Sequence, residues 1–198
     1  MKIRTEESEA LRLLKNHFPR YSGLVYSDKP DLIDCEKSLG VEITRAVDSE
    51  IEKQTVFFWE NLKGKRKDEV LECSVSQVEK CGLGIVCIKD GVQDHAERMY
   101  GLSRVFGLEE IILLHKAICA KYAKKYQNLD SVDLYVFFRH MCRGAFAETD
   151  FSALLQTAHD CEKEHGKVFK KIMIDFYSVL VVMDLEHDCM EEVEDYGD

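Results

Sequence analysis

The chain has 198 residues, of which 45% are hydrophobic and 32% charged, with a formal charge of −10. That length suits one domain burying roughly 70% of its unfolded surface, and no apolar run reaches the ~18 residues a membrane span needs. So strong an acidic balance argues against a nucleic-acid partner until its distribution is read: residues 184–198 hold eight of the 37 acids and no Lys or Arg, leaving 29 acids against 27 bases elsewhere. The body is nearly neutral. The end reads as an acidic C-terminal tail, solvated and partly disordered, able to repel or mimic a polyanion. The N-terminus, Met1-Lys2-Ile3-Arg4-Thr5-Glu6-Glu7, lacks the apolar core of a signal peptide, so a cytoplasmic location is expected.

In chain order, Glu6 to Phe18 has a helical period, with Ala10, Leu11, Leu13, Leu14 and Phe18 on one stripe and Pro19 as the stop. Glu7 falls near the middle of that stripe, where the helix dipole welcomes an acid in the first turn. Gly23 to Tyr26 and Asp31 to Cys35 read as strand pieces, a turn follows through Gly40, and Val41 to Val47 forms the next strand. Residues 48–107 read as a mostly helical insertion: helices are expected over 51–62 and 68–80, a short strand over 85–88, and a helical turn over 94–99. Between the first two lies Lys63-Gly64-Lys65-Arg66-Lys67, either a solvated loop or a phosphate contact.

A strong helical pattern runs from Leu108 to Tyr126, its inward stripe being Leu108, Ile111, Leu114, Ile118 and Tyr122. Lys121 and Lys125 fall at the border of the stripe, while Lys116 and Lys124 point away. Val132 to Phe138 reads as a buried strand, residues 150–165 as a helix, and Ser178 to Met183 as a last apolar strand. Apolar strands alternating with helices indicate an α/β fold, a mixed central sheet flanked by helices.

The eight cysteines include no CxxC pair and read as reduced thiols, several of them core residues. Three His-x-Cys steps, at 140–142, 159–161 and 187–189, fall in three different elements and do not make a zinc knuckle. No Walker loop, dinucleotide loop or serine-nucleophile elbow is present.

The segment with chemical character is Pro30-Asp31-Leu32-Ile33-Asp34, followed after a tight connection by Leu39-Gly40-Val41-Glu42-Ile43-Thr44. Two antiparallel strands so joined bring Asp31 and Glu42 to one edge of a small sheet. A Glu set between Val41 and Ile43 is costly unless solvated, paired or bound to a cation, which outlines a divalent-metal site. Taken singly, Asp31 is a turn carboxylate and Glu42 the polar face of an alternating strand.

Together, the Pro-Asp step, the hairpin spacing and the apolar-Glu-apolar strand resemble the PD-(D/E)xK nuclease superfamily over about twenty residues by motif. The rest of the chain matches only in the order of its elements. The resemblance implies a restriction-endonuclease-like core carrying the helical insertion, with Asp31 and Glu42 binding Mg²⁺ or Mn²⁺, and Glu7 as a third ligand from the first helix. Thr44 stands where the family has lysine, so the resemblance implies a lysine supplied from the following helix: Lys121 first, Lys125 second, with Lys124 as an outward-facing control. The implied activity is hydrolysis of DNA phosphodiesters, with Asp31, Glu42, Thr44 and Lys121 at the catalytic centre and Lys63, Lys65, Arg66 and Lys67 against the nucleic acid. The alternative is an inactive relative acting as a regulatory module, whose ligand is a protein partner or a second copy of the chain. Thr44 and the acidic tail favour that alternative; the retained Asp31 and Glu42 favour the enzyme.

Overall fold

A computed structural model describes residues 4–47, 53, 57, 61–62, 65, 83–90, 93–101, 108–126, 129–139, 143–176 and 178–194. The contacts divide the chain into two units, Met1–Ala46 with Gly107–Asp198, and Val47–Phe106. In the second unit, strands β4 (Leu83–Asp90) and β5 (Gln93–Gly101) pair as an antiparallel hairpin with a register shift between Val86 and Cys87. The helical turn expected over 94–99 is therefore strand. Its residues carry no strong apolar alternation, and the pairing partner rather than local pattern decides their state. The helices expected at 51–62 and 68–80 lie largely or wholly outside the described residues.

The first unit begins with helix α1 (Thr5–His17) and the short strands β1 (Val25–Tyr26), β2 (Leu32–Asp34) and β3 (Leu39–Arg45). After the second unit come helix α2 (Leu108–Tyr122), strand β6 (Ser131–Phe137), helix α3 (Glu148–His165), and strands β7 (Lys171–Asp175), β8 (Val179–Asp184) and β9 (Cys189–Glu194). The seven strands form one mixed sheet in the order β1-β2-β3-β6-β7-β8-β9, with β3, β6 and β7 parallel and the outer pairs antiparallel. This is the α/β class expected from the sequence. Among the described residues, no helix is long and apolar enough to cross a membrane.

Alternation sorts the side chains of the sheet between its two covered faces. Leu32, Val41, Ile43, Tyr135, Phe137, Met173, Leu180 and Val182 pack with Ala10, Leu13 and Leu14 of α1. Val132, Leu134, Val136, Ile172, Ile174 and Val181 pack with Leu114, Ile118 and Tyr122 of α2 and with Phe151, Leu154 and Ala158 of α3. Since Val41 and Ile43 face α1, Gly40, Glu42 and Thr44 take the other face. That parity aims Glu42 at α2.

Two further elements, both in the first unit, differ from the sequence reading. Strand β7, which that reading does not name, lies between β6 and β8 in the interior of the sheet, with Ile172, Met173 and Ile174 almost wholly buried. The supposed acidic tail folds in part: residues 189–194 form β9, antiparallel to β8. The backbone of β8 needs a partner, and the Arg143 guanidinium pairs with Glu192 of this last strand. Glu191, Glu192 and Glu194 on an edge strand also oppose further strand addition, a use for charge that composition alone does not reveal.

The turn between β8 and β9 is set by Asp184, whose Oδ1 accepts from the backbone of Glu186 (3.0 Å) and His187 (3.1 Å) while Oδ2 meets Lys171 Nζ at 3.0 Å. Burial opposes its charge, but Lys171 and His187 more than offset that and hold its pKa at about 2. A carboxyl with a depressed folded-state pKa stabilises above its unfolded pKa and ceases to do so as pH falls through the folded value. Asp184→Ala is accordingly expected to cost about 1 kcal/mol in urea unfolding at neutral pH, and the difference from the parent protein should shrink as pH approaches about 2.

Candidate functional site

The antiparallel register of β2 and β3 pairs Leu32 with Val41, so one step further along the ladder Asp31 stands opposite Glu42. Directly opposite residues project from the same face. The sheet ladder ends there on the β2 side, and the Asp31 side chain replaces it: Oδ2 accepts the Ile43 N–H at 2.7 Å. Gly40 makes room for the approach, because a Cβ at that position would lie 2.4 Å from Pro30 and 2.7 Å from Leu129. Any larger residue would displace the segment carrying Asp31.

Glu42 is 2% exposed, and its Oε1 accepts from Lys121 Nζ at 2.5 Å and from Lys124 Nζ at 2.8 Å. Lys121 also donates to the Ile43 carbonyl at 3.0 Å. The backbone of Ile43 is thus held by the aspartate at its N–H and by the lysine at its carbonyl. On the outer side, Arg4 NH2 meets Asp31 Oδ1 at 2.9 Å. Two neighbouring carboxylates are therefore met by three cations.

The electrostatics follow from that crowding. Burial raises the pKa of Asp31; the Ile43 hydrogen bond opposes this, Glu42 reinforces it, and Arg4 and Lys121 oppose it. Burial lowers the pKa of Lys121 despite the Glu42 carboxylate, and the Lys124 ammonium adds to the lowering. Burial works against the Lys124 charge too, but there Glu42 prevails and the pKa is raised. Tyr126 completes the wall: burial, then the charges of Glu42 and Asp31, push its phenol pKa up, so it stays a neutral hydroxyl.

No protein-family model, curated protein or solved structure matches the chain.

Several sequence-predicted residues are brought together here, and others are not. Asp31, Glu42 and Lys121 meet, with Thr44 on the same face of β3 as Glu42. Glu7 does something different from direct ligation: its Oε2 accepts from the Arg4 backbone N–H (3.1 Å) and its Oε1 from Arg4 Nε (2.5 Å). It is the returning half of a capping box and reaches Asp31 only through Arg4. Lys124 is a correction: read as an outward-facing control, it binds Glu42, because α2 ends at Tyr122 and the helical wheel no longer governs its direction. Lys125 is exposed, and it has no part in the ion pairs on Glu42. Of the basic loop, Lys65 is exposed while Lys63, Arg66 and Lys67 lie outside the described residues.

Arg4 and Tyr126 went unnoticed in the sequence. Arg4 had one legible signal, its place three residues before Glu7 at a helix start. Two further fully buried acids, Asp133 and Asp175, belong to the frame. Asp133 accepts from Tyr21 and the Lys171 backbone, and Asp175 from Tyr135 and Arg139. Among the described residues, no three His, Cys, Asp or Glu side chains converge as a metal cage would. Of the His-x-Cys steps, the first lies outside those residues, and His159 of the second pairs with Asp188 and Glu162 rather than with a cysteine.

Proposed function

We propose that the chain is a metal-dependent phosphodiesterase of the PD-(D/E)xK nuclease-like type, with a restriction-endonuclease-like core and DNA as substrate. The observation that supports this reading is the meeting of Asp31 and Glu42 on neighbouring strands with the Lys121 ammonium on Glu42, which restores a cation where Thr44 offers none. The order of elements agrees: helix, aspartate strand, glutamate strand, helix, parallel strand.

The donor set fits Mg²⁺ or Mn²⁺, since both carboxylates are hard oxygen donors, and burial, reinforced by the neighbouring Glu42 carboxylate, raises the Asp31 pKa, a cost that a divalent cation would offset. When bound, the ion supplies a water of lowered pKa and positive charge for the phosphoryl oxygens. The chain's own part is positional. Asp31 and Glu42 would hold the cation, Lys121 would steady the charge developing on the phosphoryl group, and Thr44 would offer a hydroxyl to orient water. Arg4, whose side chain is 55% exposed, is the one of the three cations that contacts Asp31 directly, and its exposure would let Asp31 exchange it for a metal ion.

Incubation of the purified protein with single-stranded, duplex and branched DNA should give cleavage that requires Mg²⁺ or Mn²⁺. A second reading, an inactive fold relative that binds a protein partner, is favoured by one observation: both ammonium groups already occupy Glu42 Oε1. Absence of cleavage on every substrate, together with no rise in Tm on adding either metal, would select it.

The titrations set a pH signature. Asp31 must lose its proton to hold a cation, and its pKa is raised, so the rising limb of activity should lie above the ordinary carboxylate value of ~4. Lys121 must keep its proton, and its pKa is lowered, so the falling limb should lie below the ordinary lysine value of ~10.4. In the metal-free protein the raised Asp31 pKa works against stability as pH rises through it, so added metal should raise Tm more at neutral than at acidic pH. Limbs at the ordinary values would detach both residues from the reaction.

A further inference from the structure

Outside this site, the described cysteines differ sharply in their surroundings. Cys35 and Cys189 are exposed, Cys119 is half-buried on α2, and Cys161 is buried on α3. The Cys161 thiol donates to the Cys119 sulfur at 3.0 Å, a separation only about 1 Å longer than a disulfide bond. The two residues lie 42 positions apart in the chain, on helices that pack together over one face of the sheet.

We propose that Cys119 and Cys161 are an oxidisable pair, a modification site at which a low-molecular-weight disulfide converts two thiols into a covalent staple between α2 and α3. In the first step the Cys119 thiolate attacks the reagent, RSSR: a Cys119–SR bond forms, the S–S bond of the reagent breaks, and the departing thiolate takes up the proton that Cys119 released. In the second step Cys161 attacks the Cys119 sulfur, forming the Cys119–Cys161 bond and expelling the second RS⁻, which takes the proton of Cys161. The two protein thiols are oxidised by two electrons and RSSR is reduced to two RSH.

The order of attack follows from access. Cys119 is the more exposed partner, whereas burial and the neighbouring Cys119 sulfur push the Cys161 thiol up to about 12, which suits it to the slower, intramolecular step. The staple closes a long chain loop and so restrains the unfolded state. It also sits two residues before Lys121, on the helix whose end carries the cations that face Glu42. This inference does not depend on the nuclease reading.

The test is to incubate the full chain with glutathione disulfide, block remaining thiols with iodoacetamide, and map peptides without reduction. The expected result is a peptide joining Cys119 to Cys161 and a rise in Tm of about 5–15 °C that dithiothreitol reverses. Cys119→Ser should remove both the joined peptide and the rise, while Cys35→Ser and Cys189→Ser should keep them. Carbamidomethylated Cys119 and Cys161 in a sample whose exposed cysteines carry glutathione would overturn the proposal. So would a cross-link joining either residue to a different cysteine. Mapping of the parent protein alone decides between these outcomes, so the stability of the serine variants does not limit the test.

Discussion

Asp31→Asn and Glu42→Gln should each reduce metal-dependent DNA cleavage by at least about 10³-fold, because each removes a charged oxygen donor and several kcal/mol of charge stabilisation with it. The two changes should part company in stability. Asp31 carries a raised pKa, and asparagine can still accept the Ile43 N–H through its carbonyl, so Asp31→Asn is expected to leave the metal-free protein about as stable as the parent. Glu42→Gln strips the counter-charge from Lys121, whose side chain is only 13% exposed, and from Lys124 beside it. Leaving a buried charge unpaired costs about 3 kcal/mol or more, so this variant should unfold at a clearly lower denaturant concentration. A companion Glu42→Gln/Lys121→Met variant should regain much of that loss while remaining inactive. Urea unfolding, metal-induced Tm shifts and cleavage rates on the same preparations separate the two effects. Unchanged cleavage in both single variants would mean that the chemistry lies elsewhere or in a contaminant.

Lys121→Ala should lower turnover by about 10²–10³-fold while the metal-induced rise in Tm is kept, since the ammonium acts on charge that develops in the transition state. The geometry that motivates this is specific: Lys121 reaches both Glu42 and the Ile43 carbonyl, so its position is fixed by two acceptors. Lys124 shares only the Glu42 oxygen and is 48% exposed, so Lys124→Ala should have a smaller effect. Lys116, exposed on the far side of α2, serves as the control. Thr44→Lys in the Lys121→Ala background should restore part of the lost rate, because Thr44 lies on the face of β3 that Glu42 occupies. Equal, small effects at Lys121 and Lys116 would remove Lys121 from the site.

The sequence by itself determined the elements with strong periodicity. The stripe Leu114, Ile118 and Tyr122 is buried as the 3.6-residue pattern requires, and Val132 to Phe138 is a buried strand run. The Asp31 and Glu42 pairing was also legible, because a short connection between two strands leaves few registers and side-chain parity does the rest. What only the tertiary structure decided lies where a partner, not a local pattern, sets the outcome. Strand β9 exists because β8 offers it a ladder, although half of its residues are glutamate. The β4–β5 pair likewise depends on each segment pairing with the other rather than on either alone. Lys124 turns toward Glu42 because α2 stops two residues earlier, and a helix end cannot be placed that finely from propensity. Arg4 and Tyr126 join the site through reach and chain reversal, and the Cys119–Cys161 contact arises from the packing of two helices. Periodicity along the chain encodes which face a residue takes within its own element, whereas the neighbours it meets across elements are fixed only when those elements pack.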